Sequence, residues 1–185
     1  NKKSGGGGGG GGGTCCVLGG GGSGVLRGGG GGGVVDWGVG MDTGSGGSGD
    51  DIVVYDASDY LIDGGDGIDV LLADINELQG RAPEELLIDD NSTKPKKGPI
   101  VNGFEIVITG ENIDDLGLTS LSELGITISN DEVSLGDQWI KQGAGRYIGR
   151  FENASGQDVT LTMHVDTTVQ EMVDLAAQNI ATSNG

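Results

Sequence analysis

The sequence predicts a mixed fold. A short parallel β-roll is followed by a small α+β domain, mainly antiparallel β with a C-terminal helix. Three observations predict it. Two nine-residue segments rich in glycine and aspartate lie in register within 46–72. Aliphatic residues recur every nine positions over a longer stretch around them. From residue 101 onward the composition turns ordinary, with strand alternation and then helical spacing.

The chain has 185 residues, enough for one or two domains. It begins at Asn1 rather than Met and is expected to be a fragment or a processed piece. Ten basic residues against 28 acidic ones leave a net charge of −18. Nucleic acid and anionic membranes are bound through basic patches, so neither is an expected partner, and cations are favoured as ligands. There are 41 glycines, far above an ordinary usage of roughly 7%. Glycine loses the most backbone freedom on folding, so ordering such a chain calls for repeats or ions. Cys15 and Cys16 are adjacent and make neither a disulfide framework nor a metal site alone. No apolar run reaches about 18 residues, so no membrane span is expected. Residues 1–13 lack the apolar segment of a signal peptide.

The elements follow in order. Residues 1–36 are a glycine-rich segment, either disordered or built of degenerate repeats. A nine-residue register passes through Val17, Leu26, Val35, Val53, Ile62 and Leu71, with Gly44 the one gap. Residues 37–78 form the roll. Its two complete units are Gly46-Gly-Ser-Gly-Asp-Asp51-Ile-Val53-Val54 and Gly64-Gly-Asp-Gly-Ile-Asp69-Val-Leu71-Leu72. Both fit Gly-Gly-x-Gly-x-Asp-x-aliphatic-x, the signature of a parallel β-coil. Between them Ile62 keeps the aliphatic position, but Tyr60 stands where Asp is needed. Asp42 holds the acid position of the unit before, with Gly24 and Tyr60 as its neighbours 18 residues away.

Each unit is a glycine turn followed by a very short strand. Glycines open backbone conformations closed to other residues, so carbonyl oxygens converge. The Asp adds a carboxylate. Calcium takes six to eight hard oxygens, more than one such turn supplies. The two complete units start 18 residues apart, so their turns stack on one side of the coil and Asp51 and Asp69 share one ion. Val53, Ile62 and Leu71 point inward as a thin core.

These motifs resemble the RTX, or hemolysin-type, calcium-binding repeats of proteins that bacteria export by type I secretion. The resemblance covers 46–72 and implies a calcium-binding parallel β-roll. It also implies Gly47, Gly49 and Asp51 from one turn and Gly65, Gly67 and Asp69 from the next as the metal ligands. Ca2+ is the only cofactor implied.

Residues 79–100 read as a linker, with loop residues in 91–99 and one helical turn in 82–88 that has Pro83 at its first position. Residues 101–185 read as a C-terminal capping and secretion domain. Phe104, Ile106 and Ile108 alternate with Glu105, Val107 and Thr109, a strand with at least one buried face. Asn130-Asp131 turns a hairpin between 126–129 and 132–135, and Ser155-Gly156 turns another between 146–152 and 159–165. His164 falls on the polar side of the last strand. Thr168 and Glu171 form a capping box, and Val169, Met172, Val173, Ala176, Ala177 and Ile180 follow at helical spacing. That helix either covers the sheet or, by the resemblance, carries an uncleaved export signal.

Asp89-Asp90 and Asp114-Asp115 read as solvated surface. Neither a zinc-protease helix motif nor a nucleophile elbow is present, so no enzyme activity is expected. The expected function is the calcium-binding C-terminal region of a secreted RTX-type protein, an adhesin or surface protein, that folds on calcium after export. Its expected location is extracellular or the bacterial cell surface. Its expected partners are calcium ions, the type I secretion machinery and a host or cell-surface protein or glycan. Two alternatives stand beside it: the non-catalytic secretion tail of a protease or lipase, and a stand-alone protein- or glycan-binding module.

Overall fold

The computed structural model describes residues 16–87, 98–118, 120–129 and 132–169. It is mostly β. Seven strands begin nine residues apart: β1 (Cys16–Leu18), β2 (Val25–Arg27), β3 (Val34–Asp36), β4 (Thr43–Ser48), β5 (Ile52–Val54), β6 (Leu61–Asp66) and β7 (Val70–Asp74). After an excursion come β8 (Ile100–Asn102) and β9 (Ile106–Gly110). Odd and even strands go to different sheets. One sheet has the order β2-β4-β6-β8, all parallel. The other begins β1-β3-β5-β7-β9, also parallel. The chain therefore crosses from sheet to sheet every nine residues and returns every 18.

Residues 16–36, for which disorder and degenerate repeats were both open, form β1–β3 in register with the later coils. The nine-residue aliphatics line the space between the sheets. Val35, Val53, Leu71 and Val107 stack on one side, and Leu26, Ile62 and Val101 on the other. The gap at Gly44 is filled from elsewhere. A Cβ on Gly44 would overlap the Trp37 indole, which is itself buried in this core.

The expected linker at 79–100 is not a boundary between domains. Ile100 and Val101 already belong to β8, which pairs with β6, so residues 75–99 are an excursion between two coils. Its described part packs back. Leu78 and Leu86 join the inter-sheet core beside Val101, Phe104 and Val107. Pro83 opens a 3-10 turn over Pro83–Leu86. Arg81 Nη1 donates to the Pro99 carbonyl at 2.8 Å, tying the two ends of the excursion together. The loop within 88–97 lies outside the described residues.

The antiparallel part continues the same sheet. β9 pairs with β14 (Asp158–Val165), β14 with β13 (Arg146–Glu152) and β13 with β12 (Trp139–Gly143). β10 (Ile126–Ser129) and β11 (Glu132–Leu135) form a separate hairpin whose turn, Asn130-Asp131, lies outside the described residues. β9, expected to have at least one buried face, is buried on both. Val107 faces the inter-sheet core, while Ile106 and Ile108 face a second core. That second core joins Val34, Ile52, Val70 and Leu72 to Ile113, Leu124, Ile126, Val133 and Trp139. The β3-β5-β7 part of this sheet is thus apolar on both sides, as parallel sheets covered on both faces are. The C-terminal segment covers the coil's flank as well as its end.

A helix starts at 167–169, and its continuation lies outside the described residues. Its N-cap is Asp166 rather than Thr168. Asp166 Oδ2 accepts the Thr168 N–H at 2.7 Å, as a capping carboxylate does for the second helical residue. Among the described residues no helix is long and apolar enough to cross a membrane.

Candidate metal centre

The two complete units form stacked turns on one edge of the coil. Gly47 pairs with Gly65 and Ser48 with Asp66. Gly47, Gly49, Gly65 and Gly67 all have positive φ, from 106° to 143°. Gly65 shows why no other residue serves. A Cβ there would overlap the Gly47 carbonyl, and one on Gly67 would overlap the Gly49 carbonyl. The carbonyls of Gly47 and Gly49, two of those expected as ligands, therefore lie against the next turn.

The acids are buried. Asp51 is 2% exposed and Asp69 fully buried. Each uses one oxygen to bind the coil before it. Asp69 Oδ1 accepts the Asp51 N–H at 2.8 Å, and Asp51 Oδ1 accepts the Gly33 N–H at 2.9 Å. The other oxygen, Oδ2, is buried without a hydrogen-bond partner in both residues. It is held within the turn. A Cβ on Gly46 would come within 2.9 Å of Asp51 Oδ2, and one on Gly64 within 2.7 Å of Asp69 Oδ2. An unpartnered buried polar atom costs about 1–3 kcal/mol, and a charged one more. Loss of water pushes the Asp51 carboxyl up to about 6 and that of Asp69 up to about 8. The backbone N–H bonds pull in the other direction but do not cancel the burial. A divalent cation beside the Oδ2 atoms would reverse this balance.

Among the described residues no three His, Cys, Asp or Glu side chains converge as a metal group. An ion here would take most of its oxygens from the backbone, as the glycine turns allow. The donor set is all oxygen, which suits a hard cation such as calcium rather than zinc or copper.

Two acids, Glu105 and Asp59, were missed by sequence reasoning. Glu105 Oε2 accepts the Asp69 N–H at 2.8 Å, so Glu105 occupies the acid position of the coil after Asp69. Its signal was present: Glu105-Ile-Val107 has the same acid-to-aliphatic spacing as Asp69-Val-Leu71. On the opposite edge Asp42 is fully buried and Asp59 is 5% exposed. Asp59, one residue ahead of Tyr60, accepts the Asp42 N–H at 3.0 Å. Asp42 thus has an acidic neighbour after all. His164 also differs from expectation. It is 7% exposed, with Nδ1 3.1 Å from Glu84 Oε1, because the 3-10 turn at 83–86 covers the face read as polar.

No family model matches the chain, and neither a curated protein nor a solved structure matches it.

Proposed function

We propose that this chain is a calcium-binding β-roll with its C-terminal cap, a non-catalytic region of a secreted RTX-type protein that folds outside the cell. The single observation that carries the reading is the pair of Oδ2 atoms on Asp51 and Asp69. Both are buried in glycine turns, and neither has a hydrogen-bond partner. Asp51 and Asp69 would hold the ion with carbonyls of Gly47, Gly49, Gly65 and Gly67. The ion supplies the positive charge that lets both carboxylates stay ionised where water is excluded. The chain's own residues do the rest. The N–H groups of Gly33 and Asp51 orient the two carboxylates, and the aliphatic stack beneath holds the turns in register.

Where calcium is scarce, ionised Asp51 and Asp69 repel and oppose closure of the turns. Where it is millimolar, as outside cells, a site with Kd near 0.1 mM stabilises the fold by roughly 1.4 kcal/mol. Ordering a single residue costs about 1–2 kcal/mol, so one ion biases the coil rather than building it. The two buried cores supply the remainder. Attachment to an adhesin or surface protein, export by a type I machinery and recognition of a cell-surface protein or glycan belong to the same proposal.

The test is calcium titration of the full chain by calorimetry and circular dichroism, with Asp51→Asn and Asp69→Asn beside the wild type. Calcium is expected to bind and raise Tm, and both variants to lose this site's share of that rise. Wild-type binding by both variants would refute the site.

A further inference from the structure

We propose that Asp42 and Asp59 hold a second hard divalent cation, calcium by chemical class, on the edge of the coil opposite Asp51 and Asp69. The proposal rests on the calcium reading above and extends it to residues the nonapeptide pattern does not cover. At position six of this unit the pattern has Tyr60, which offers no carboxylate. The acid comes instead from Asp59, at the end of a four-residue turn, Asp56-Ala57-Ser58-Asp59, that contains no glycine.

Despite that different local sequence, the arrangement repeats the one across the coil. Asp59 Oδ1 accepts the Asp42 N–H at 3.0 Å, and Asp42 Oδ1 accepts the Gly24 N–H. Tyr60 N–H in turn donates to the Asp42 carbonyl at 2.8 Å, which fixes the two turns against each other. Oδ2 of Asp42 and Oδ2 of Asp59 are both buried and both without a hydrogen-bond partner. Two such oxygens on side chains 0% and 5% exposed are not an ordinary acidic surface.

Backbone oxygen is close by. Gly38 and Gly40 have φ of 76° and 149° and stack on the turn before them. A Cβ on Gly40 would lie 3.1 Å from the Gly22 carbonyl oxygen and 3.2 Å from Asp42 Oδ2. A carbonyl and a carboxylate oxygen therefore converge on one glycine. The charged groups that act on Asp59 are Asp56, Asp42 and Asp36, all of the same sign. Asp36 and Asp56 each spend Oδ1 on a local turn, accepting N–H from Gly38 and Ser58. The oxygen-only donors and one-sided charge suit a cation that needs hard ligands and tolerates irregular geometry.

The experiment counts ions on the full chain by calcium calorimetry and native mass spectrometry at pH 8. The wild type is compared with Asp59→Asn, with Asp51→Asn/Asp69→Asn, and with all three changes together. Asn keeps an Oδ1 acceptor for the Asp42 N–H, and circular dichroism checks that each variant folds. We expect two ions on the wild type, one on Asp59→Asn, one on the double variant and none on the triple. A wild-type count that Asp59→Asn leaves unchanged overturns this site. So does a single wild-type ion removed by the double variant, a result that needs no folded Asp59 variant. Both ions retained by the double variant, with one lost in Asp59→Asn, would overturn the first site and leave this one standing.

Discussion

Replacing Asp69 by Asn separates two effects of its carboxylate that have opposite signs. Without calcium, burial holds the Asp69 carboxyl at about 8 against an ordinary 3.8. A carboxyl whose folded pKa is raised stabilises the fold fully only below its unfolded value. That contribution is lost as pH climbs from 3.8 to about 8. At about 1.4 kcal/mol per pH unit, the cost of the charge at pH 8 has a ceiling of roughly 5 kcal/mol. Asp51 and Glu105 raise the Asp69 value by their own charge, so part of that ceiling belongs to the cluster. With somewhat under half of that ceiling assigned to the single charge, one Asn removes about 2 kcal/mol. Asn keeps the acceptor for the Asp51 N–H and carries no charge. Calcium-free Asp69→Asn should therefore be more stable than wild type at pH 8, with Tm higher by about 4–8 °C. In calcium at 100 times Kd each site adds about 2.7 kcal/mol and the variant lacks the gain of this one, so the ranking reverses. Thermal melts followed by circular dichroism, with chelator and with calcium, read both signs. A variant less stable than wild type in chelator at pH 8, yet stabilised by calcium to the same extent, would refute the reasoning.

The remaining expectations follow the same logic. In chelator, wild-type stability should fall as pH rises through about 6, 7 and 8, where Asp51, Asp59 and Asp69 lose their protons. In saturating calcium that fall should flatten, because the ion takes the protons' place on the same oxygens while the unfolded chain is already ionised; urea melts across pH distinguish the two slopes. Trp37→Ala should cost about 3–5 kcal/mol by emptying the space beside Gly44, read as a lower urea midpoint at unchanged calcium stoichiometry. Glu105→Ala should cost about 1–3 kcal/mol by stranding the Asp69 N–H, with the loss seen in thermal melts.

Asp51, Asp69 and their glycines were legible because the chain spells each turn the same way and the register does not slip between them. Asp59 was not, since position six of its unit is Tyr60 and the acid lies three residues, rather than two, before its aliphatic partner Ile62. A shorter turn without glycine reaches the same place by a different path, and counting in nines cannot see it. Gly44 looked like a lost core residue because a one-dimensional register has no way to let Trp37 reach across seven positions. The pairs Val34-Val35, Ile52-Val53 and Val70-Leu71 put aliphatics on both faces of their strands. Val25-Leu26, Leu61-Ile62 and Ile100-Val101 in the other sheet read the same way, yet Val25 is exposed, so adjacent aliphatics alone do not tell a sheet covered on both faces from one covered on one. The linker was misjudged because its loop composition is real, while the strand that follows resumes the coil.

β9 belongs to both halves of one sheet, with β7 beside it in parallel and β14 beside it antiparallel. The antiparallel side contains the β13–β14 hairpin, but β9 itself meets β14 at Thr109 and Thr162, 53 residues apart, whereas neighbouring strands of the coil lie 18 residues apart. Both edges of β9 are taken by strands distant in sequence, a kind of pairing that forms slowly. β9 is thus a rung whose loss would break a parallel and an antiparallel ladder together. A defect in β1, which pairs with β3 alone among the described strands, would cost one ladder at the far end of the coil.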